Sequence, residues 1–185
     1  MLPDERVTRN GPERMRRIVE WSRKRSVWAR AAAYMCLFGG SWFVALPIAL
    51  LRAEGDAHVG LRSPQWIGAG SALIVAGCVL SVVAGYYLIT VGRGTPFPLD
   101  PTRELVVVCP YASIRNPQAV ATVLIVTGEA AIVRSHAVVW MIVLTIVYLE
   151  GCAAPYEHRE LSRRYGKRYL EYRARVPKWL PRGVL

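Results

Sequence analysis

Residues 31–51 contain no Asp, Glu, Lys or Arg, and neither do residues 63–92. A helix rises about 1.5 Å per residue, so roughly 20 apolar residues in succession reach across the hydrocarbon core of a bilayer. Both runs are long enough. Two further apolar runs follow, each broken by one acid: 116–133 carries Glu129 and 135–156 carries Glu150. Arg134 and Ser135 alone separate the two spans, which therefore read as a tight helical hairpin turning at a membrane surface. The polar sequence left over is too short to coat a soluble core of that size. The expected fold class is all-α: a polytopic membrane helical bundle with about four transmembrane helices, over about 31–51, 64–91, 117–133 and 136–154.

The charges sit outside these runs. The chain is 53% hydrophobic yet carries a formal net charge of +11. Eight of its bases precede Ala29 and nine follow Pro155, whereas the 52–62 loop has only Arg52 and Arg62 and the hairpin turn only Arg134. Lys and Arg stay on the cytoplasmic side. Both termini and the 93–115 loop, with Arg93, Arg103 and Arg115, are expected there, in a bacterial-type plasma membrane. No separate basic folded domain is visible, which argues against a nucleic-acid partner. Residues 1–30 read as a basic cytoplasmic or interfacial segment, with an amphipathic helix from Pro12 that includes Met15, Ile18, Val19 and Trp28. Residues 31–185 read as one membrane domain. Its C-terminal part is expected to form an amphipathic surface helix over about 156–176, with Leu161, Tyr165, Tyr169 and Tyr172 on one face, lying among membrane lipids. Cys36, Cys78, Cys109 and Cys152 have no paired spacing, so neither a disulfide nor a metal site is expected.

The 92–117 segment is unlike a flexible linker. Gly92, Gly94, Pro96, Pro98, Pro101, Pro110 and Pro117 predict one defined shape, since proline fixes φ and glycine frees it. It leads to Asn116-Pro117, a strong helix start with Asn at N-cap and Pro at N1. Free backbone N–H groups and the helix dipole favour an anion there, and Arg115 adds a full positive charge. Glu157, just past the fourth span, is expected at the same surface because the hairpin brings the two ends together. A positive and a negative point side by side suit a zwitterionic amino-acid head group. They equally suit a simple salt bridge or contact with lipid head groups. Intramembrane acids are functional candidates by default. Glu129, about 20 Å along its helix from Asn116, reads instead as a protonated side chain or a partner for Arg134.

The run Gly94-Thr95-Pro96, Pro101, Glu104-Leu105-Val106, Pro110-Tyr111 and Ile114-Arg115-Asn116-Pro117 resembles the signature of isoprenylcysteine carboxyl methyltransferases and related phospholipid methyltransferases. Downstream, Glu157, Leu161, Tyr165-Gly166, Tyr169, Tyr172, Val176-Pro177 and Trp179-Leu180-Pro181 resemble the same family's C-terminal signature, in the same order and spacing. The resemblance covers roughly the C-terminal half. It implies S-adenosylmethionine as cofactor, held by Gly94, Tyr111, Arg115, Asn116, Pro117, Glu157 and Leu161. It further implies methyl transfer to a lipid-like or prenylated apolar acceptor that enters from the bilayer. A carboxylate acceptor needs no base. An amine must lose a proton before attack, for which Glu150 and His158 are the candidates, so Arg115, Glu150 and His158 form the expected catalytic set. The chain departs from the family pattern at Ala119 and Ala121, where members carry Tyr and Gly, and at His158, where a second acid is usual. Two other readings stay open: a family scaffold acting in membrane interaction without catalysis, and a sterol-reductase-like enzyme using NADPH.

Overall fold

The computed structural model describes residues 26–54, 63–95 and 102–181. Of the apolar residues placed on the amphipathic stretch from Pro12 only Trp28 is described, in the first turn of a helix; Met15, Ile18 and Val19, residues 55–62, and Pro96, Pro98 and Pro101 lie outside the described residues. Among the described residues every regular element is a helix. They are α1 (Val27–Glu54), α2 (Pro64–Thr90), α3 (Pro117–Val133), α4 (His136–Tyr165) and α5 (Lys167–Arg175). Helices α1, α2 and α4 are long and apolar enough to cross a membrane, and α3 is a shorter apolar helix of 17 residues. That length is at the lower end of the roughly 17–25 residues a crossing takes. The protein is a membrane helical bundle.

Each start has a local cause. Ser26 caps α1 by accepting from Ala29 N at 3.2 Å, and Asn116 Oδ1 caps α3 by accepting from Ala119 N at 3.1 Å. Helices α2 and α3 both open with proline, whose missing N–H has no intrahelical partner in the first turn anyway. Between α3 and α4 the chain reverses at Arg134, with φ 55°. Ser135 then caps α4 through Val138 N. Glu54, the last residue of α1, accepts from the Ser135 hydroxyl and from His136 N. A carboxylate thus sits where the dipole of α4 favours negative charge, and it ties α1 to the hairpin.

Two long helices carry an internal proline, and both have the same remedy. Pro47 and Pro155 each follow a π-helical turn by two residues, Ser41–Ala45 and Leu149–Ala153. A proline ring clashes with the carbonyl four residues back and donates no bond to it. The wider turn moves that carbonyl aside. Helix α4 therefore passes Pro155 and continues unbroken to Tyr165. The surface helix expected over 156–176 is accordingly two pieces, the end of α4 and α5, divided at Gly166, whose φ is +52°. Glycine reaches that region at no steric cost.

The α2–α3 pair is the tightest contact. A Cβ at Gly70 would fall 2.6 Å from Gly128 O, and one at Gly77 would fall 2.7 Å from Ile125 Cγ1 and 2.8 Å from Ala121 O. Small residues let the two backbones approach. Ser81 and Gln118 add a reciprocal pair of hydrogen bonds at 2.9 and 3.3 Å. The opposite faces carry Val75, Val79 and Val82 on α2 and Val139, Trp140, Val143, Leu144 and Val147 on α4, all exposed. Apolar side chains pointing outward suit lipid, not water. Past α2, Gly92 O accepts from Arg103 N at 2.7 Å and Glu104 N at 3.2 Å. Val106 and Tyr111 bury against Ala84, Tyr87 and Leu88. The 102–116 segment is thereby folded over the end of α2 and delivers Arg115 to the start of α3.

Candidate functional site

At the end of the bundle where α3 begins, a cleft of about 110 Å³ opens among Arg115 and Asn116, the end of α4 (Ala154, Glu157, His158, Leu161), α5 (Tyr169, Tyr172, Arg173) and Lys178 of the tail. Its described walls enclose less than the roughly 300–1,000 Å³ of a pocket that surrounds a whole small molecule. A ligand seated here inserts one end only.

Asn116 joins the two sides. Its Oδ1 caps α3, and its Nδ2 donates to Glu157 Oε2 at 3.3 Å. The caps consume N–H groups that the sequence alone leaves free for an anion. Arg115 N donates to Pro177 O at 2.8 Å and Asn116 N to Lys178 O at 3.3 Å, while Pro117 has no N–H. Of the first-turn amides only Gln118 N–H is left without an acceptor among the described residues, so the main attraction for an anion is the full charge of the Arg115 guanidinium. Its Nε is buried and has no hydrogen-bond partner among the described residues. Leaving such a donor unpaired is costly, and a carboxylate ligand removes the cost.

The tyrosines form the floor. The Tyr172 hydroxyl donates to Tyr111 O at 2.7 Å, and the Tyr165 hydroxyl donates to Thr102 O at 2.7 Å, so the tail helices are fastened to the 102–116 segment. Burial pushes the Tyr111, Tyr172 and Tyr169 phenols above the usual tyrosine range, with the Glu157 charge adding to each shift and Arg115 opposing it for Tyr169 and Tyr172. They stay neutral donors at physiological pH. His158 Nε2 lies 3.0 Å from Arg173 Nη1. Its Nδ1 lies 3.5 Å from the same nitrogen, 3.3 Å from Ser162 Oγ and 3.4 Å from Tyr169 Oη; a guanidinium only donates, so the imidazole accepts from Arg173.

Of the expected site residues, the cleft gathers Arg115, Asn116, Glu157, His158 and Leu161. Pro117 is buried directly beneath, as the first residue of α3. Tyr111 contributes its carbonyl to Tyr172 without lining the cleft. Gly94 lies in the turn after α2, where its N–H donates to Leu88 O at 3.2 Å. Glu150 is one π-helical turn back along α4, and its Oε1 accepts from Lys178 Nζ and Trp179 Nε1, both at 2.6 Å. Tyr169, Tyr172, Arg173 and Lys178 complete the lining. The tyrosines were legible as one helical face, but nothing in the sequence distinguishes Arg173 and Lys178 from the neighbouring bases. Glu129 is remote from the cleft in sequence and fold, and its Oε2 is buried without a partner among the described residues. Ala119 and Ala121 are buried to 3% and 1% exposure, with the Ala121 carbonyl against Gly77. The α2–α3 contact accounts for a small residue at Ala121.

A membrane helical bundle with a polar, charge-bearing cleft at one end is the class of protein these features define. Residues 66–168 match the family model for phospholipid methyltransferases. The match spans more than half the chain, which belongs to this family of integral membrane methyltransferases. It runs from α2 into the start of α5, so it includes Arg115, Asn116, Glu157, His158 and Leu161 and stops short of Tyr169, Tyr172, Arg173 and Lys178. No curated protein and no solved structure matches the chain.

Proposed function

We propose that the protein transfers a methyl group from S-adenosylmethionine to a lipid-like or prenylated acceptor, in the manner of isoprenylcysteine carboxyl methyltransferases. One observation carries the reading. The buried, unpartnered Nε of Arg115 and the Glu157 carboxylate share a single cleft, linked through Asn116. Arg115 would hold the cofactor's carboxylate and Glu157 its ammonium group, and the cleft's volume suits that amino-acid end. Bound there, the cofactor supplies a methyl group activated on a sulfonium. The residues around it bind, orient and exclude water. Tyr169 offers a neutral hydroxyl, Tyr172 its ring, and Leu161 an apolar wall.

The two expected bases are both engaged: His158 Nε2 by Arg173, and Glu150 by Lys178 and Trp179. Among the described residues the lining holds three cations, Arg115, Arg173 and Lys178, against the one carboxylate of Glu157. An acceptor whose nucleophile arrives already as an anion, a carboxylate, meets both conditions. The bilayer-facing helices supply its apolar chain with a route of entry. The distribution of bases supports a cytoplasmic cleft with both termini on that side.

The test is calorimetric binding of S-adenosylmethionine to protein in lipid nanodiscs, comparing wild type with Arg115→Ala and Glu157→Ala. Saturable wild-type binding, weakened about tenfold or more in each variant, is expected from the loss of one charged hydrogen bond. A folded wild type that binds no S-adenosylmethionine overturns the reading. Binding of NADPH in its place would assign the site to a reductase.

A further inference from the structure

The described tail, from Val176 to Pro181, is held on two sides. Its backbone carbonyls at Pro177 and Lys178 take the N–H groups of Arg115 and Asn116, at 2.8 and 3.3 Å. Its side chains at Lys178 and Trp179 both donate to one oxygen, Oε1 of Glu150, at 2.6 Å each. Glu150 is the only charged residue of the apolar run 135–156. A lone carboxylate in such a run is costly unless it is paired. Its position on the π-helical turn Leu149–Ala153 sets it beside the tail. The two donors are neighbours in the tail, and Pro177 restricts the backbone just before them. The carboxylate, the tail and the start of α3 thus form one closed connection: α4 to Lys178 and Trp179, then by backbone to Arg115 and Asn116. Those two amides have no other hydrogen bond among the described residues.

We propose that Glu150 is a positioning residue for the methyl transfer: it latches the tail across the start of α3 and so fixes Arg115 and Asn116 at the cofactor end of the cleft. The proposal rests on the reading of that cleft as an S-adenosylmethionine site. Glu150 touches neither the ligand nor the reacting atoms. It acts through Lys178, which lines the cleft, and through the two tail carbonyls. A general base in the same place would need its carboxylate free to receive a proton. The latch needs it occupied.

Two readouts separate the latch from its consequence. The first is amide hydrogen exchange at Arg115 and Asn116, followed by NMR in nanodiscs, with Val126 in the middle of α3 as the internal reference. The second is S-adenosylmethionine affinity together with kcat at saturating cofactor. Glu150→Gln and Lys178→Met are expected to speed exchange at Arg115 and Asn116 about tenfold and leave Val126 unchanged, since local openings differ in free energy from the global one. Both are expected to weaken S-adenosylmethionine binding about three- to tenfold, the range for losing a partly exposed charged contact. The kcat should change less than the affinity. Lys178→Arg keeps a donor to Glu150 and is expected to leave exchange at Arg115 and Asn116 at the wild-type rate. Unchanged exchange in both Glu150→Gln and Lys178→Met overturns the latch. Faster exchange with unaltered affinity overturns the positioning role. A large kcat loss at unaltered affinity makes Glu150 a base instead. A wild type that binds no S-adenosylmethionine removes the site to be positioned, while the exchange result still decides whether the latch exists.

Discussion

Replacing Gly70 by alanine places a methyl group between α2 and α3, whereas the same replacement at Gly68, two residues earlier on α2, places it in open space. At Gly70 the new Cβ would lie 2.6 Å from Gly128 O and 2.6 Å from Ile132 Cγ1, where real Cβ atoms stay beyond 3.0 Å; at Gly68 nothing lies within 4 Å. The Ile132 side chain can rotate away, but Gly128 O is backbone and yields only if the helices separate. Both substitutions gain the same helix propensity, about 0.8–1.0 kcal/mol for Ala over Gly. Overpacking a fitted contact costs about 1–3 kcal/mol. The difference between the two variants removes the shared propensity and leaves the packing cost, so Gly70→Ala should be about 1–3 kcal/mol less stable than Gly68→Ala. Gly68→Ala should match or slightly exceed wild type. Equilibrium unfolding in mixed micelles reads the gap, and the reciprocal variant Gly128→Ala, whose Cβ would fall 2.5 Å from Gly70 O, should repeat it. Equal stability of Gly70→Ala and Gly68→Ala would refute the close crossing, and with it the account of why Ala121 is small.

Asn116→Ala removes the cap of α3 and the bond to Glu157, so it should cost about 0.5–2 kcal/mol of stability and weaken cofactor binding. Asn116→Asp keeps the cap but faces Glu157 with a like charge, so it should recover only part of the stability lost in Asn116→Ala and still lose affinity in the same calorimetric assay. Tyr172→Phe leaves the Tyr111 carbonyl without its buried donor and should lower stability by about 1–3 kcal/mol, read by chemical unfolding. The buried phenols give a pH signature. Their values are raised in the folded protein, so the unfolded chain loses these protons first. The sign follows: stability is unaffected below the ordinary tyrosine value near 10 and falls as pH rises above it. Absorbance of the phenolate band should show Tyr111 and Tyr172 un-ionised at a pH where exposed tyrosines titrate, a difference that Tyr172→Phe should diminish.

Much of this architecture is written in the sequence because bilayer crossing needs long uncharged runs and little else. The runs at 31–51 and 63–92 lie within α1 and largely coincide with α2, and Asn116-Pro117 marks the first turn of α3 to the residue. The Arg134-Ser135 reversal is equally plain, since two residues between apolar helices allow little but a hairpin. What escaped reading has a physical cause in each case. The π-helical turns before Pro47 and Pro155 depend on a carbonyl's freedom to move, so Pro155 looked like a boundary and α4 instead continues to Tyr165. The tail reaches Arg115 and Asn116 through main-chain carbonyls, which carry no side-chain identity to read. Lys178 and Arg173 are two bases among nine after Pro155, and only the fold selects them. Glu150 was recognisable as an unusual acid in an apolar run, but its partners lie 28 and 29 residues further on. Arg115, Asn116, Glu157, His158 and Leu161 do converge, because the hairpin that the sequence announces brings the start of α3 to the end of α4.

The most direct test of the central claim is transfer itself. Protein in nanodiscs made with an extract of bacterial membrane lipids is incubated with S-adenosylmethionine labelled on its methyl group, and the organic phase is then assayed for label. The account predicts label in an apolar product formed by wild type and lost in Glu157→Ala, released by mild base as volatile methanol, as expected of a carboxyl methyl ester. Label that base does not release as methanol would contradict a carboxylate acceptor. No transfer to membrane lipids or to an added prenylated carboxylate, by a wild type that binds the cofactor, would contradict methyl transfer to a lipid-like substrate.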